Sequence, residues 1–144
     1  MDFELSPKHK ELQRSAKLLV EQTVLPQIME FEGKSLFPRE LFRKIGNKGF
    51  LRAHMPEEYG GLGLGTLGYC LVSEELAKAG AGMTHNGHFQ TQKMLLEHGT
   101  QIQRDEYLNK LGSGEYLAAT AISEPTVGSS FEDMRTQVEK QDDA

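Results

Sequence analysis

A chain of 144 residues carries one domain's worth of sequence, enough to bury a core. Hydrophobic residues make up 38% and charged residues 26%, the balance of a globular chain rather than a disordered one. The net charge of −5, with Lys and Arg scattered among acids, argues against a nucleic-acid surface, and no apolar run approaches the ~20 residues of a membrane span.

Ser6-Pro7 predicts a helix start, a serine cap with proline where its missing N–H costs nothing. Leu12, Ala16, Leu19, Val20, Val24, Ile28 and Phe31 then recur at helical spacing. Pro26 falls inside that pattern and predicts a kink or a break, and Gly33 a stop. The N-terminus lacks the basic start and apolar core of a signal peptide and the Arg-rich look of a transit peptide. The one cysteine, Cys70, cannot form an internal disulfide. Together these set the expectation of a cytoplasmic or other reducing location.

Phe37-Pro38 reopens a helix whose buried stripe is Leu41, Phe42 and Ile45 and which ends by Gly49. Pro56 to Gly63 is dense in glycine and reads as a loop. From Thr66 to Ala79 apolar residues go nearly all round, the pattern of a central buried helix broken by Gly80-Ala81-Gly82. A helix from about Thr84 to His98 ends at Gly99. Thr100 and Gln103 then form a capping box for a helix through Leu111, stopped by Gly112-Ser113-Gly114. Beyond it, Tyr116 to Ile122 fits a buried strand and a helix almost equally, Met134 to Glu139 reads as a second short strand, and Gln141-Asp142-Asp143 as a turn. The fold class is therefore mainly α: a helical domain over 1–114, then over 115–144 the first one or two strands of a β region that does not close.

Several segments, taken in order, resemble the N-terminal part of the acyl-CoA dehydrogenases. Phe37-Pro38-Arg39-Glu40-Leu41 is similar to the family's second-helix start, and Met55-Pro56-Glu57-Glu58-Tyr59-Gly60-Gly61-Leu62-Gly63 resembles its signature loop. Ser73-Glu74-Glu75-Leu76-Ala77 follows as expected. His98-Gly99-Thr100 through Tyr107-Leu108, then Leu111 to Glu115, match its linker, and Ala121 to Ser130 its flavin loop. Departures are Ser123 where threonine is usual, Thr126-Val127 where Gly-Ala is common, and Ser130 where Asp is common.

The resemblance implies FAD-dependent 2,3-dehydrogenation of acyl-CoA thioesters, an activity of fatty-acid metabolism. It implies a helical-bundle domain, an electron-transfer flavoprotein as electron acceptor, and a homo-oligomer or a complementing C-terminal chain. For cofactor binding it implies Thr120, Ile122, Ser123, Gly128 and Ser129, with Ser129 also touching acyl-CoA. Donors at Ile122 and Ser123 would meet the acceptor edge of a flavin, and Gly128 would let the backbone approach without a Cβ. The catalytic base of the family is a glutamate in later helices; no glutamate here matches it, so the chain alone is expected to be inactive, with doubtful retention of FAD. The competing readings are an ordinary strand-to-turn junction, a non-catalytic helical interaction module, and a related acyl-CoA oxidase or hydroxylase.

Other motifs carry less. Gly63-Leu64-Gly65-Thr66-Leu67-Gly68 matches the dinucleotide fingerprint G-x-G-x-x-G, but no strand precedes it. His85 and His88 share a helical face without a third metal ligand. The resemblance implies that the helix around His85 to Gln92 lies near the acyl pocket, so Phe89, Gln92 and Leu95 either line a substrate chain or pack a core face. Glu57-Glu58 and Glu74-Glu75 read as loop and surface charges, one of the second pair facing solvent.

Overall fold

The computed structural model describes residues 3–34, 36–81 and 83–139; the side chains of residues 83–85 are outside that description, as are Gly82 and the turn expected at Gln141-Asp142-Asp143. Among the described residues six α-helices carry the fold: α1 (Pro7–Leu19), α2 (Leu25–Gly33), α3 (Arg39–Asn47), α4 (Gly65–Lys78), α5 (Met83–His98) and α6 (Gln101–Ser113). None is long and apolar enough to cross a membrane. α1 packs along α4, α5 along α6, and α3 against α6 through the short turn Phe50–Arg52.

The first two helices form one continuous rod joined by a π-helical segment, Val20–Val24. Pro26 explains it. Proline interrupts the helical hydrogen-bond ladder and crowds the carbonyl one turn earlier, and a wider π turn just upstream relieves that crowding. The same turn solves a register problem. Leu12, Ala16, Val20, Val24 and Ile28 are all buried and spaced four apart. In a regular α-helix such a row drifts roughly 40° per step; the wider turn takes up the excess, and all five reach the core with Leu41, Phe42, Ile45, Leu51, Val72 and Leu76.

Caps follow the sequence closely. Ser6 accepts the His9 amide at 3.4 Å, and Thr100 and Gln103 form the expected reciprocal capping box. Gly114 ends α6 with a φ of 76°, which only glycine adopts without strain. Gly46 lets α3 lie directly on the end of α6: a Cβ there would collide with the Ser113 carbonyl.

The signature loop folds back on its own start. The amides of Leu62, Gly63 and Leu64 donate to the carbonyls of Arg52, Met55 and Ala53 at 3.2, 2.8 and 3.0 Å. The glycine-rich run opening α4 follows a 3-10 turn, Glu57–Tyr59, rather than a strand, so it is a tight entry to a helix and not a dinucleotide site.

Two sequence expectations are corrected. α4 is not buried all round: Leu67 and Cys70 are exposed, while Gly68, Leu71, Val72, Glu75 and Leu76 form its inner side. Residues 116–122 and 134–139 make no strand ladder among the described residues, whose one bridge joins Glu124 and Val127. The physical reason is that a strand is defined by its partner, and neither segment has one here.

Candidate functional site

The site is built outward from the junction of α5 and α6. His88 sits on α5 with only 1% of its surface exposed. Its Nε2 lies 2.9 Å from the Leu111 carbonyl, which can only accept, and its Nδ1 lies 3.2 Å from the Ala118 amide, which can only donate. The ring is therefore neutral, protonated at Nε2 and open at Nδ1. Burial pushes its pKa down, opposed by the bond to Leu111. Phe42 meets the ring edge-on at 5.1 Å, and the Gln92 amide lies 3.3 Å from Nε2.

That histidine is one of three pins on the segment leaving α6. The Tyr116 amide donates to the Lys110 carbonyl at 3.0 Å, the Ala118 amide donates to His88, and the Thr120 hydroxyl donates to the Gln90 amide oxygen at 3.3 Å. Every second residue is held, so the segment keeps a two-residue alternation without a ladder. It crosses α5 at Gly87, where a Cβ would stand 3.5 Å from the Thr120 nitrogen. Lys110 completes the grip with its ammonium 4.9 Å above the Tyr116 ring.

The pinned segment delivers a tight turn. The Glu124 amide donates to the Val127 carbonyl at 2.9 Å, and the Val127 amide returns to the Glu124 carbonyl at 3.2 Å. Pro125 and Thr126 make the bend. Ser123 and Gly128 consequently flank the paired residues on neighbouring legs, with Ile122 and Ser129 one step beyond. Val127 is buried; Ile122, Ser123, Gly128 and Ser129 are exposed. The amides of these four residues donate to no group among the described residues. Gly128 is not demanded by the local fold, since its φ is not in the left-handed region and a Cβ would meet nothing within 4 Å. The loop thus carries exposed N–H donors and two exposed serine hydroxyls with no hydrogen-bond partner among the described residues, a donor set that fits the acceptor edge of a flavin. Thr120 differs from the others, because its hydroxyl is already committed to Gln90.

Below the turn, the Glu124 carboxylate accepts the Arg135 amide at 2.9 and 3.1 Å, the Thr136 amide at 2.8 Å, and the Thr136 hydroxyl. These donors hold its carboxyl below the usual glutamate range, the Thr136 hydroxyl contributing most. Neither Glu124 nor Thr136 stood out in the sequence, because their pairing spans chain with no periodic signal.

Other sequence candidates resolve into packing. Phe89 stacks on Tyr69 at 3.7 Å and meets His54 at 4.6 Å, and Gln92 is fully buried. Both belong to the inner side of α5, and Leu95 is half-buried. Besides His88, the α5 residue that bonds the pinned segment is Gln90, which sequence reasoning missed. His88 uses both nitrogens within the protein and has no lone pair for a metal; among the described residues no group of three potential ligands exists. Of the paired acids, Glu74 is exposed while Glu75 is buried and bonded to Lys78 at 2.7 Å.

Residues 6–115 match the family described as "Acyl-CoA dehydrogenase, N-terminal domain". The chain belongs to the acyl-CoA dehydrogenase family. Isovaleryl-CoA dehydrogenase, mitochondrial, of Bos taurus is 35% identical over 144 residues, 96% of this chain and 34% of its own length. The electron transferring flavoprotein structure from Acidaminococcus fermentans superposes with a TM-score of 0.87 at 30% identity, covering 94% of this chain and 36% of that one. The acyl-CoA dehydrogenase of Bacillus anthracis, solved in complex with FAD, gives 0.82 at 32% identity over 92% of this chain and 23% of that one. The chain thus spans about a third of the curated relatives it matches, and it corresponds to the N-terminal portion of a family enzyme.

Proposed function

We propose that this chain supplies one wall of an FAD site in an acyl-CoA dehydrogenase. The observation that carries this reading is the turn at Glu124–Val127, which sets the exposed amides and hydroxyls of Ile122, Ser123, Gly128 and Ser129 on two adjacent legs. The Bacillus anthracis relative, solved in complex with FAD, supports it. Bound flavin would supply hydride acceptance for 2,3-dehydrogenation of an acyl-CoA. This chain's own residues would hold its polar edge through Ile122 and Ser123, admit it closely at Gly128, and present Ser129 to both cofactor and acyl-CoA. Thr120 acts at one remove, fixing the segment through Gln90.

Residues 1–114 serve as the helical domain and 115–144 as the opening of a β domain in this proposal. Leu117, Ile122, Phe131, Met134 and Val138 are exposed along that second part, an apolar face suited to further chain, a second copy or a complementing C-terminal partner. An electron-transfer flavoprotein is the proposed electron acceptor of the whole assembly, and a reducing compartment such as the cytosol its location.

The test is flavin absorbance near 450 nm on the purified chain, alone and mixed with a C-terminal portion of a family enzyme. Yellow protein in either sample supports the reading. Colourless protein in both favours a non-catalytic interaction module. Acyl-CoA-dependent dye reduction is expected from the mixture and not from the 144-residue chain by itself.

A further inference from the structure

We propose that Glu124 is the positioning residue of the flavin loop: by drawing the Arg135–Thr136 backbone beneath the turn, it fixes the two legs that carry Ser123 and Gly128. The inference rests on the flavin reading above and adds a residue that touches no flavin itself.

The geometry is unusually complete for an exposed side chain. One carboxylate receives two backbone amides and one hydroxyl from consecutive residues, all on the far side of the loop it helps to form. An ionised acceptor makes such bonds roughly twice as strong as neutral ones. Glu124 is also a member of the backbone pair that closes the turn, through both its amide and its carbonyl. Its main chain therefore closes the turn at Val127 while its side chain holds Arg135 and Thr136. Between the turn and the clamped pair runs Gly128 to Met134, in which the described contacts are only the local bonds of the Phe131–Asp133 turn, Asp133 to Ser130 and Met134 to Phe131, both at 3.4 Å. Without the clamp, nothing else described ties the second leg of the loop to the protein beyond Val127. An aspartate would fall short of the two amides; a glutamine would keep one acceptor oxygen but turn an NH2 toward the Arg135 amide.

Four variants test this in the 144-residue chain. Glu124→Gln and Glu124→Ala remove the charge or the whole clamp; Thr136→Val removes the hydroxyl, and Thr136→Ser restores it. The backbone amide resonances of Gly128 and Ser129, neither of which touches the carboxylate, are followed together with FAD affinity and the helical melting curve. The expected result is that Glu124→Gln and Glu124→Ala displace both resonances and weaken FAD binding roughly 5- to 10-fold. Thr136→Val does so in part, Thr136→Ser stays near the parent, and melting is unchanged. Unmoved Gly128 and Ser129 resonances in Glu124→Ala overturn the proposal. So does equal FAD affinity in the parent and Glu124→Ala, which leaves the flavin reading standing. If the parent binds no FAD, alone or mixed with a C-terminal portion of a family enzyme, while the resonances move as stated, the flavin reading fails and the clamp is upheld.

Discussion

The Nδ1 atom of His88 accepts the backbone amide of Ala118 across 30 residues of chain. Through this bond the buried side of α5 holds the segment that leads to the Glu124–Val127 turn. The helical domain therefore does more than pack: it fixes where the loop begins.

Replacing His88 should cost stability out of proportion to its size. His88→Ala leaves the Ala118 amide unpaired and the Leu111 carbonyl with the Gly114 amide alone beside a new cavity, and the expected loss is about 2–4 kcal/mol in urea denaturation. His88→Gln, which can still donate and accept, should lose less. Amide exchange at Ala118 should accelerate more than exchange within α1 in both.

Stability should fall as pH falls below the ordinary histidine range. Burial pushes His54 down to about 4, with Lys93 and His88 adding to the shift, and it lowers His88 too. Below about 6.5 the unfolded chain binds protons that the folded chain refuses, so the stabilisation is complete above 6.5 and is lost as pH approaches 4. For His54 alone the loss is roughly 2–3 kcal/mol. The His54 Nε2 is also buried without a partner. His54→Phe keeps a ring against Phe89, removes the orphaned nitrogen, and should flatten the dependence of denaturation midpoint on pH between 4 and 6.5. An unchanged slope in that variant would contradict the assignment.

Two glycines should respond in opposite ways. Gly46→Ala drives a methyl into the Ser113 carbonyl and should destabilise the chain by about 1–3 kcal/mol, read from thermal melting. Gly128→Ala meets open space and should melt like the parent, yet it should weaken FAD binding because the methyl occupies the approach to the loop. A Gly128→Ala chain that binds FAD as tightly as the parent would remove the reason offered for glycine there.

The helices were legible because their signals are local. Ser6-Pro7, the Thr100–Gln103 box and Gly114 each act within a turn of chain, and each appears as expected. Pro26 signalled an interruption, but not that a π turn would absorb it and carry the four-residue apolar row to Ile28. Residues 116–122 were harder, because strand or coil depends on a partner that local sequence does not encode. On α5 the apolar pattern could not separate Phe89, which stacks on Tyr69, from a substrate-lining residue, since both roles ask for the same side chain. The flavin-loop candidates could be named by resemblance, whereas Glu124, Thr136, His88 and Gln90, which hold that loop in place, could not. Their contacts join distant stretches of chain and leave no spacing to read.

The central claim is that the turn at Glu124–Val127 faces FAD. Its most direct test is titration of FAD into the isotopically labelled chain while backbone amide resonances are followed. The account expects saturable shifts at Ile122, Ser123, Gly128 and Ser129, with the amides of α1 unmoved. Shifts confined to other parts of the chain, or none at millimolar FAD with or without a C-terminal portion of a family enzyme, would contradict it.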